Sequence, residues 1–131
     1  LYRPGAFEQL YRLEAARCRR YEVSATLVSL RIENLTELVS SGSGRQVRRL
    51  TEDIKELFAG TFRETDLLTD VSRKHILAIF PHTPAHDAEV ALERLEDNLH
   101  ELVDDRLVLE TSIFDLTEEV PDLSEVREET A

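Results

Sequence analysis

Cysteine is nearly absent. The 131-residue chain has one, Cys18, which excludes an internal disulfide framework and any multi-cysteine zinc site. Long apolar runs are missing as well, and none approaches the roughly 20 residues that a membrane-spanning helix needs. The opening, LYRPGAFEQL, has no basic stretch leading into an apolar one, so it does not read as a secretory signal. Positive charge is scarce. Lys and Arg total 16 against 27 Asp and Glu, a formal charge of −11 that repels polyanions and argues against nucleic acid as a partner. Neither a Walker loop nor a G-x-G-x-x-G run occurs. What is present is a hydrophobic fraction of 41%, enough to close a core, in a length that suits one domain. Together these features fit a domain of a reducing, cytoplasmic compartment.

The acidity is uneven. Residues 115–131 hold seven acids and one base, Arg127, so this segment carries −6 and residues 1–114 only −5. The chain therefore divides into a domain over 1–114 and an acidic C-terminal tail over 115–131, expected as a solvated appendage or a short helix.

Along the body, Phe7, Leu10, Tyr11, Ala15, Cys18 and Tyr21 recur at helical spacing, entered through Pro4 and Gly5. SATLVSLRI at 24–32 is rich in β-formers and reads as a strand. After the break SSGSG at 40–44, the residues Val47, Leu50, Ile54, Leu57 and Phe58 share one helix face. Two short apolar runs, 66–71 and 75–80, read as a hairpin. Thr83-Pro84 predicts a helix start, with Thr83 as N-cap and Pro84 in the first helical position. Ala88, Ala91, Leu92, Leu95, Leu99 and Leu102 continue that helix, and 106–114 forms a last strand. The order helix, strand, helix, hairpin, helix, strand implies an α/β sandwich with a central mixed antiparallel sheet flanked by helices.

Several short motifs stand in a telling order. LYRPGAFE opens the chain, RETD occupies 63–66, SRKHILAIFP occupies 72–81, LER occupies 92–94 and TSIF occupies 111–114. In order and spacing these resemble the GGDEF domains, the diguanylate cyclases. That family opens with LxNRRAFE and carries an RxxD motif, a GGDEF hairpin running into an apolar strand that ends in Pro, an AER-like triplet and a strand with SIG. The resemblance covers nearly all of 1–114. It implies a ferredoxin-like α/β sandwich close to the nucleotidyl cyclase palm.

Where the family has GGDEF, this chain has Ser72-Arg73-Lys74-His75-Ile76. The two glycines that admit GTP phosphates are replaced, and Lys74 stands where the family has a metal-binding carboxylate. Arg31, in Arg31-Ile32-Glu33, stands where it has another. The family's guanine-binding Asn and Asp have no clear counterparts either. Mg²⁺ is held by hard carboxylate oxygens, so two cations in their place reverse the charge of the site. The resemblance with these departures implies a domain that is not an enzyme, its diguanylate cyclase site lost, with no catalytic residues, metal or cofactor. Arg31, Arg73 and Lys74 could instead grip a nucleotide phosphate, or could simply pair with Glu33 or Asp70.

The family's product-inhibition site is kept in register. Its RxxD residues match Arg63 and Asp66, and the Arg that completes it on the next helix matches Arg94. The resemblance thus implies cyclic di-GMP as ligand. A guanidinium can bond guanine O6 and N7, or a phosphate, in bidentate fashion. A carboxylate accepts from guanine N1–H and the exocyclic amine. An Arg and an Asp three apart are also a common surface pair. His82 and His86 have a spacing that can hold Zn²⁺ but no evident third ligand. Cys18, on an apolar helix face, reads as a packed thiol.

The family's closing ALYxAK-like helix is missing from 115–131, and the chain starts inside the family's opening motif. This suggests a piece of a longer protein with an upstream sensor or membrane region. The resulting expectation is a cytoplasmic cyclic di-GMP receptor that signals to an attached domain, a second copy of the chain or an effector protein. The alternative is a non-binding interaction or dimerisation module that kept the fold.

Overall fold

Pro4 sits where a helix needs no N–H donor, and the first helix, α1 (Pro4–Tyr21), begins there. It buries Phe7, Tyr11, Ala15 and Cys18, the stripe legible in the sequence, and stops at Glu22 in the left-handed region with φ 54°. The computed structural model describes residues 2–39, 44–72 and 74–128. After α1 come β1 (Ala25–Ile32), a single 3₁₀ turn at Thr36–Leu38, α2 (Gly44–Thr61), β2 (Leu67–Ser72), β3 (His75–Pro81), α3 (Ala85–Leu102), β4 (Leu109–Asp115) and the short α4 (Leu123–Glu128). Among the described residues, no helix is long and apolar enough to cross a membrane.

The four strands form one sheet in the order β2-β3-β1-β4. Among the described residues all three pairings are antiparallel, in a sheet flanked by helices as the sequence leads one to expect. Each helical crossover returns the chain to a strand that is not its parallel neighbour. Thr26 to Ile32 of β1 register with Asp115 to Leu109 of β4, and Arg31 stands opposite both His75 and Glu110.

The pleat of β1 serves two cores. Val28, Leu30 and Ile32 join Ile76, Ala78 and Phe80 of β3 beneath α2 and α3. Ala25 and Leu27 join Leu77 and Ile79 on the opposite face, beneath α1 and α4. Burial on both faces is why this strand shows no clean polar alternation. Each fully buried Leu contributes about 1.5–3 kcal/mol relative to exposure, and Leu27, Leu77, Leu95 and Leu99 are all at that limit.

The tail does contain a short helix, and its apolar residues are not solvated. Leu116, Leu123 and Val126 are buried against Phe7 and Tyr11 of α1, and the Tyr11 hydroxyl donates to the Pro121 carbonyl at 2.6 Å. At the start of α3 the cap is shifted by one residue. Pro84 occupies the N-cap and Ala85 the first helical position. The Thr83 hydroxyl is not available for capping, because it donates to the Pro81 carbonyl at 2.9 Å.

Candidate functional site

α2 ends over Thr61, whose hydroxyl bonds the Leu57 carbonyl one turn back, and the chain then reverses through Arg63, Glu64, Thr65 and Asp66 into β2. The reversal is closed from both sides. The Asp66 N–H donates to the Arg63 carbonyl at 3.0 Å, and the Arg63 N–H donates to Asp66 Oδ2 at 2.8 Å. The three-residue spacing of the RxxD pair thus makes a turn capped by its own carboxylate, an arrangement typical of Asp in turns.

The two side chains differ sharply in exposure. The Asp66 side chain is 5% exposed and that of Arg63 is 63% exposed. Asp66 Oδ1 is buried and accepts no hydrogen bond; the nearest guanidinium nitrogen of Arg63 lies 3.6 Å away, too far for one. Arg63 donates instead to the Thr83 hydroxyl at 2.6 Å. Thr83 is held in place because the buried Thr26 hydroxyl of β1 donates to its carbonyl at 2.8 Å. No sequence signal named Thr83 as a member of this cluster, since its part depends on a contact across 20 residues.

Two hollows flank the pair. The larger, about 760 Å³, has an apolar floor of Phe58, Phe62 and Leu68 and is rimmed by Glu52, Lys55 and Glu56. The smaller, about 300 Å³, lies between Phe62, Phe80, His82, Thr83 and Asp87. Arg63 and Asp66 line both. Arg94 lines neither. It is exposed on α3, on the stripe of Asp87 and Ala91 that borders the smaller hollow, one turn further along. The structure therefore unites Arg63 with Asp66 and leaves Arg94 beside them without contact.

At the strand end that carries a departure from GGDEF, Arg31 takes the pairing with Glu33 that the sequence allows, and adds a second partner. It donates to Glu33 at 2.7 Å and to Glu110 at 2.9 Å, and is only 17% exposed. The hydrogen bond to Glu110 and then that to Glu33 push its pKa up against the cost of desolvation. Lys74 is exposed on the hairpin, and Arg73 lies outside the described residues. His75 is buried and shares a 2.7 Å hydrogen bond with Ser29. Burial, then the charges of Arg31 and Arg127, push its pKa below the ordinary 6.5. Asp70 pairs with Lys55 at 2.8 Å. Among the described residues, no group of three His, Cys, Asp or Glu could hold a metal ion. His82 approaches Arg17 at 3.4 Å, and the Cys18 thiol is buried, which pushes its pKa up.

No family profile matches the chain, and no curated protein matches it. Solved structures do. The diguanylate cyclase SiaD of Pseudomonas aeruginosa, solved in complex with its activator SiaC, superimposes with a TM-score of 0.79 over 99% of this chain at 18% identity. This chain spans 52% of that protein's length. The active GGEEF domain of a diguanylate cyclase from Vibrio cholerae gives 0.76 at 13% identity, covering 93% of this chain and 81% of that one. The GGDEF domain of DgcB from Caulobacter crescentus, in complex with c-di-GMP, gives 0.79 at 12% identity over 99% and 81% of the two chains.

The fold is that of a GGDEF domain.

This GGDEF fold corrects one expectation. The inference that the chain is not an enzyme, with its cyclase site lost at Ser72-Arg73-Lys74-His75-Ile76, does not stand. The fold is shared with an active GGEEF domain, at 13% identity, so loss of activity is not shown. The charge of Arg31 is itself offset by Glu33 and Glu110.

Proposed function

We propose that this GGDEF-fold domain binds cyclic di-GMP at the turn made by Arg63 and Asp66, and that occupancy is passed to an attached domain or a partner protein in the cytoplasm. The observation that carries the reading is the state of Asp66. One carboxylate oxygen is engaged by the Arg63 N–H, and the other is buried without a hydrogen bond, with the Arg63 guanidinium 3.6 Å away, in the wall of two hollows. A buried acceptor without a partner costs about 1–3 kcal/mol, and a ligand that supplies N–H groups recovers that cost. The guanine edge supplies two, N1–H and the exocyclic amine. Arg63 is exposed and can exchange its Thr83 bond for a phosphate or for guanine O6 and N7. Arg94 would approach from the Asp87–Ala91 stripe as the third group. The c-di-GMP complex of the DgcB GGDEF domain supports this ligand class for the fold.

The chemistry of the pair favours a guanine-plus-phosphate ligand over a plain anion, because a bare anion would be repelled by Asp66. Calorimetric titration with cyclic di-GMP is the test. The expected dissociation constant is micromolar, about −8 kcal/mol. Arg63→Ala should weaken binding by about 1.5–3 kcal/mol, the scale of a charge-assisted hydrogen bond. Absence of binding, or binding indifferent to Arg63→Ala, would refute the reading.

A further inference from the structure

β4 is the outer strand of the sheet, and its free edge borders a groove that the site above does not use. The pairing pattern shows which backbone groups that edge presents. The Leu116 N–H bonds the Ala25 carbonyl at 3.0 Å, and the Glu33 N–H bonds the Val108 carbonyl at 2.9 Å. Hydrogen-bonded positions alternate in an antiparallel pair, so Glu110, Ser112 and Phe114 also turn their backbone groups toward β1. Leu109, Thr111 and Ile113 then turn theirs outward. At the far end the Asp115 carbonyl is taken by the N–H groups of Glu118 and Glu119, which closes the edge there. Among the described residues no strand pairs with the outward groups.

The same three residues share the sheet face of Val28, Leu30 and Ile32, the face that α3 covers. Between α3 and this edge lies a hollow of about 330 Å³ lined by Glu89, Leu92, Glu93, Glu96, Thr111 and Ile113. Its floor is apolar, from Leu92 and Ile113. Its helix wall is a stripe of three carboxylates, and none of the three is in an ion pair among the described residues. Arg94 points to the other side of α3, along the stripe of Asp87 and Ala91, and does not offset them.

We propose that the β4 edge docks an extended, basic segment of a partner protein as an added strand. Main-chain bonds to Leu109, Thr111 and Ile113 would hold it, over a length of about 17 Å. Side chains at alternate positions of the added strand face α3, so lysines or arginines there meet Glu89, Glu93 and Glu96, with an apolar residue between them above Leu92 and Ile113. Charge selects this occupant over others. A second copy of the chain would bring another −11 and its own carboxylate stripe, and the chain's own tail is acidic. An exposed edge of this kind is ordinarily blunted by charge or covered, and here the charge that borders it favours a cationic strand.

The test uses the full 131-residue chain and a synthetic peptide of about nine residues, with lysines flanking a valine at alternate positions. Amide NMR and hydrogen exchange should show new protection at Thr111 and Ile113, and a peptide with glutamate in place of lysine should give none. The triple variant Glu89→Lys, Glu93→Lys, Glu96→Lys changes only side chains that border the groove, and should weaken the lysine peptide about tenfold or more with an unchanged circular dichroism spectrum. If the triple variant misfolds, raising salt from about 0.01 M to about 0.15 M on the unaltered chain should weaken binding in its place. Protection elsewhere, equal binding of both peptides, or indifference to both charge changes would overturn the proposal. So would protection of Thr111 that tracks self-association in sedimentation and is untouched by peptide.

Discussion

Asp66 has two oxygens in different circumstances, one closing a turn and one buried without a hydrogen bond. Asp66→Asn separates these duties. An amide oxygen can still accept from the Arg63 N–H, while the charge and one acceptor are gone. Cyclic di-GMP affinity should fall at least tenfold, about 1.4 kcal/mol, with the urea midpoint nearly unchanged. Asp66→Ala should lose affinity and also about 0.5–1.5 kcal/mol of stability, because the part-buried bond from the Arg63 N–H loses its acceptor. Calorimetry beside urea titration tells the two effects apart. Arg63 and Asp66 were legible in the sequence because their spacing is local. Thr83 was not, because its hydroxyl reaches Arg63 only after β1 has fixed its carbonyl through Thr26.

His75 yields a pH prediction at the same scale. Burial beside Arg31 and Arg127 lowers its pKa below 6.5, so the unfolded chain binds the proton more readily than the folded one. Stability from the neutral imidazole is therefore fully present above about 6.5 and declines as pH falls below that value. Urea midpoints measured between pH 7.5 and 5 should fall, and His75→Gln should flatten that dependence. An unchanged slope in the variant would sink the assignment.

Among the elements, α1 and α4 carry the clearest tests. α1 ends on Glu22 in the left-handed region, a conformation that costs a non-glycine residue about 1–2 kcal/mol. Glu22→Gly should raise the melting temperature, since Glu22 is exposed and loses no packing. α4 is short and acidic, and its hold on the domain comes from Leu123 and Val126 packed beneath α1. Leu123→Ala should cost about 2–5 kcal/mol in urea unfolding, a loss that a solvated appendage would not show. Helices α1, α2 and α3 were legible because each repeats apolar residues at 3.6-residue spacing over several turns. The docking of α4 was not, because two apolar residues in six make no stripe, and their burial depends on a surface of α1 that forms elsewhere in the chain. The N-cap of α3 falls one residue beyond Thr83 for the same kind of reason: Thr83 suits a cap, but Pro81 and Arg63 claim its hydroxyl.

At the scale of the molecule, one antiparallel sheet separates two cores. The larger lies under α2 and α3 and the smaller under α1 and α4. The net charge of −11 opposes this compact arrangement through self-repulsion. Raising salt from about 0.01 M to about 0.15 M should therefore raise the melting temperature, as the Debye length shortens from about 30 Å to about 8 Å. A fall would mean that the ion pairs of Arg31, Lys55 and Arg106 outweigh the repulsion.

Order of elements, their types and the α/β class followed from the chain alone, because periodicity and turn residues are local properties that survive without a partner. Motif order also pointed to the GGDEF fold, which the superpositions bear out. Charge at the β1 end was legible only in part. Glu33 is two residues from Arg31 and offers itself in the sequence, whereas Glu110 lies 79 residues away and meets Arg31 only when β4 pairs with β1. Side-chain identity belongs to the sequence, but the field around a side chain is set by neighbours that only the folded sheet supplies.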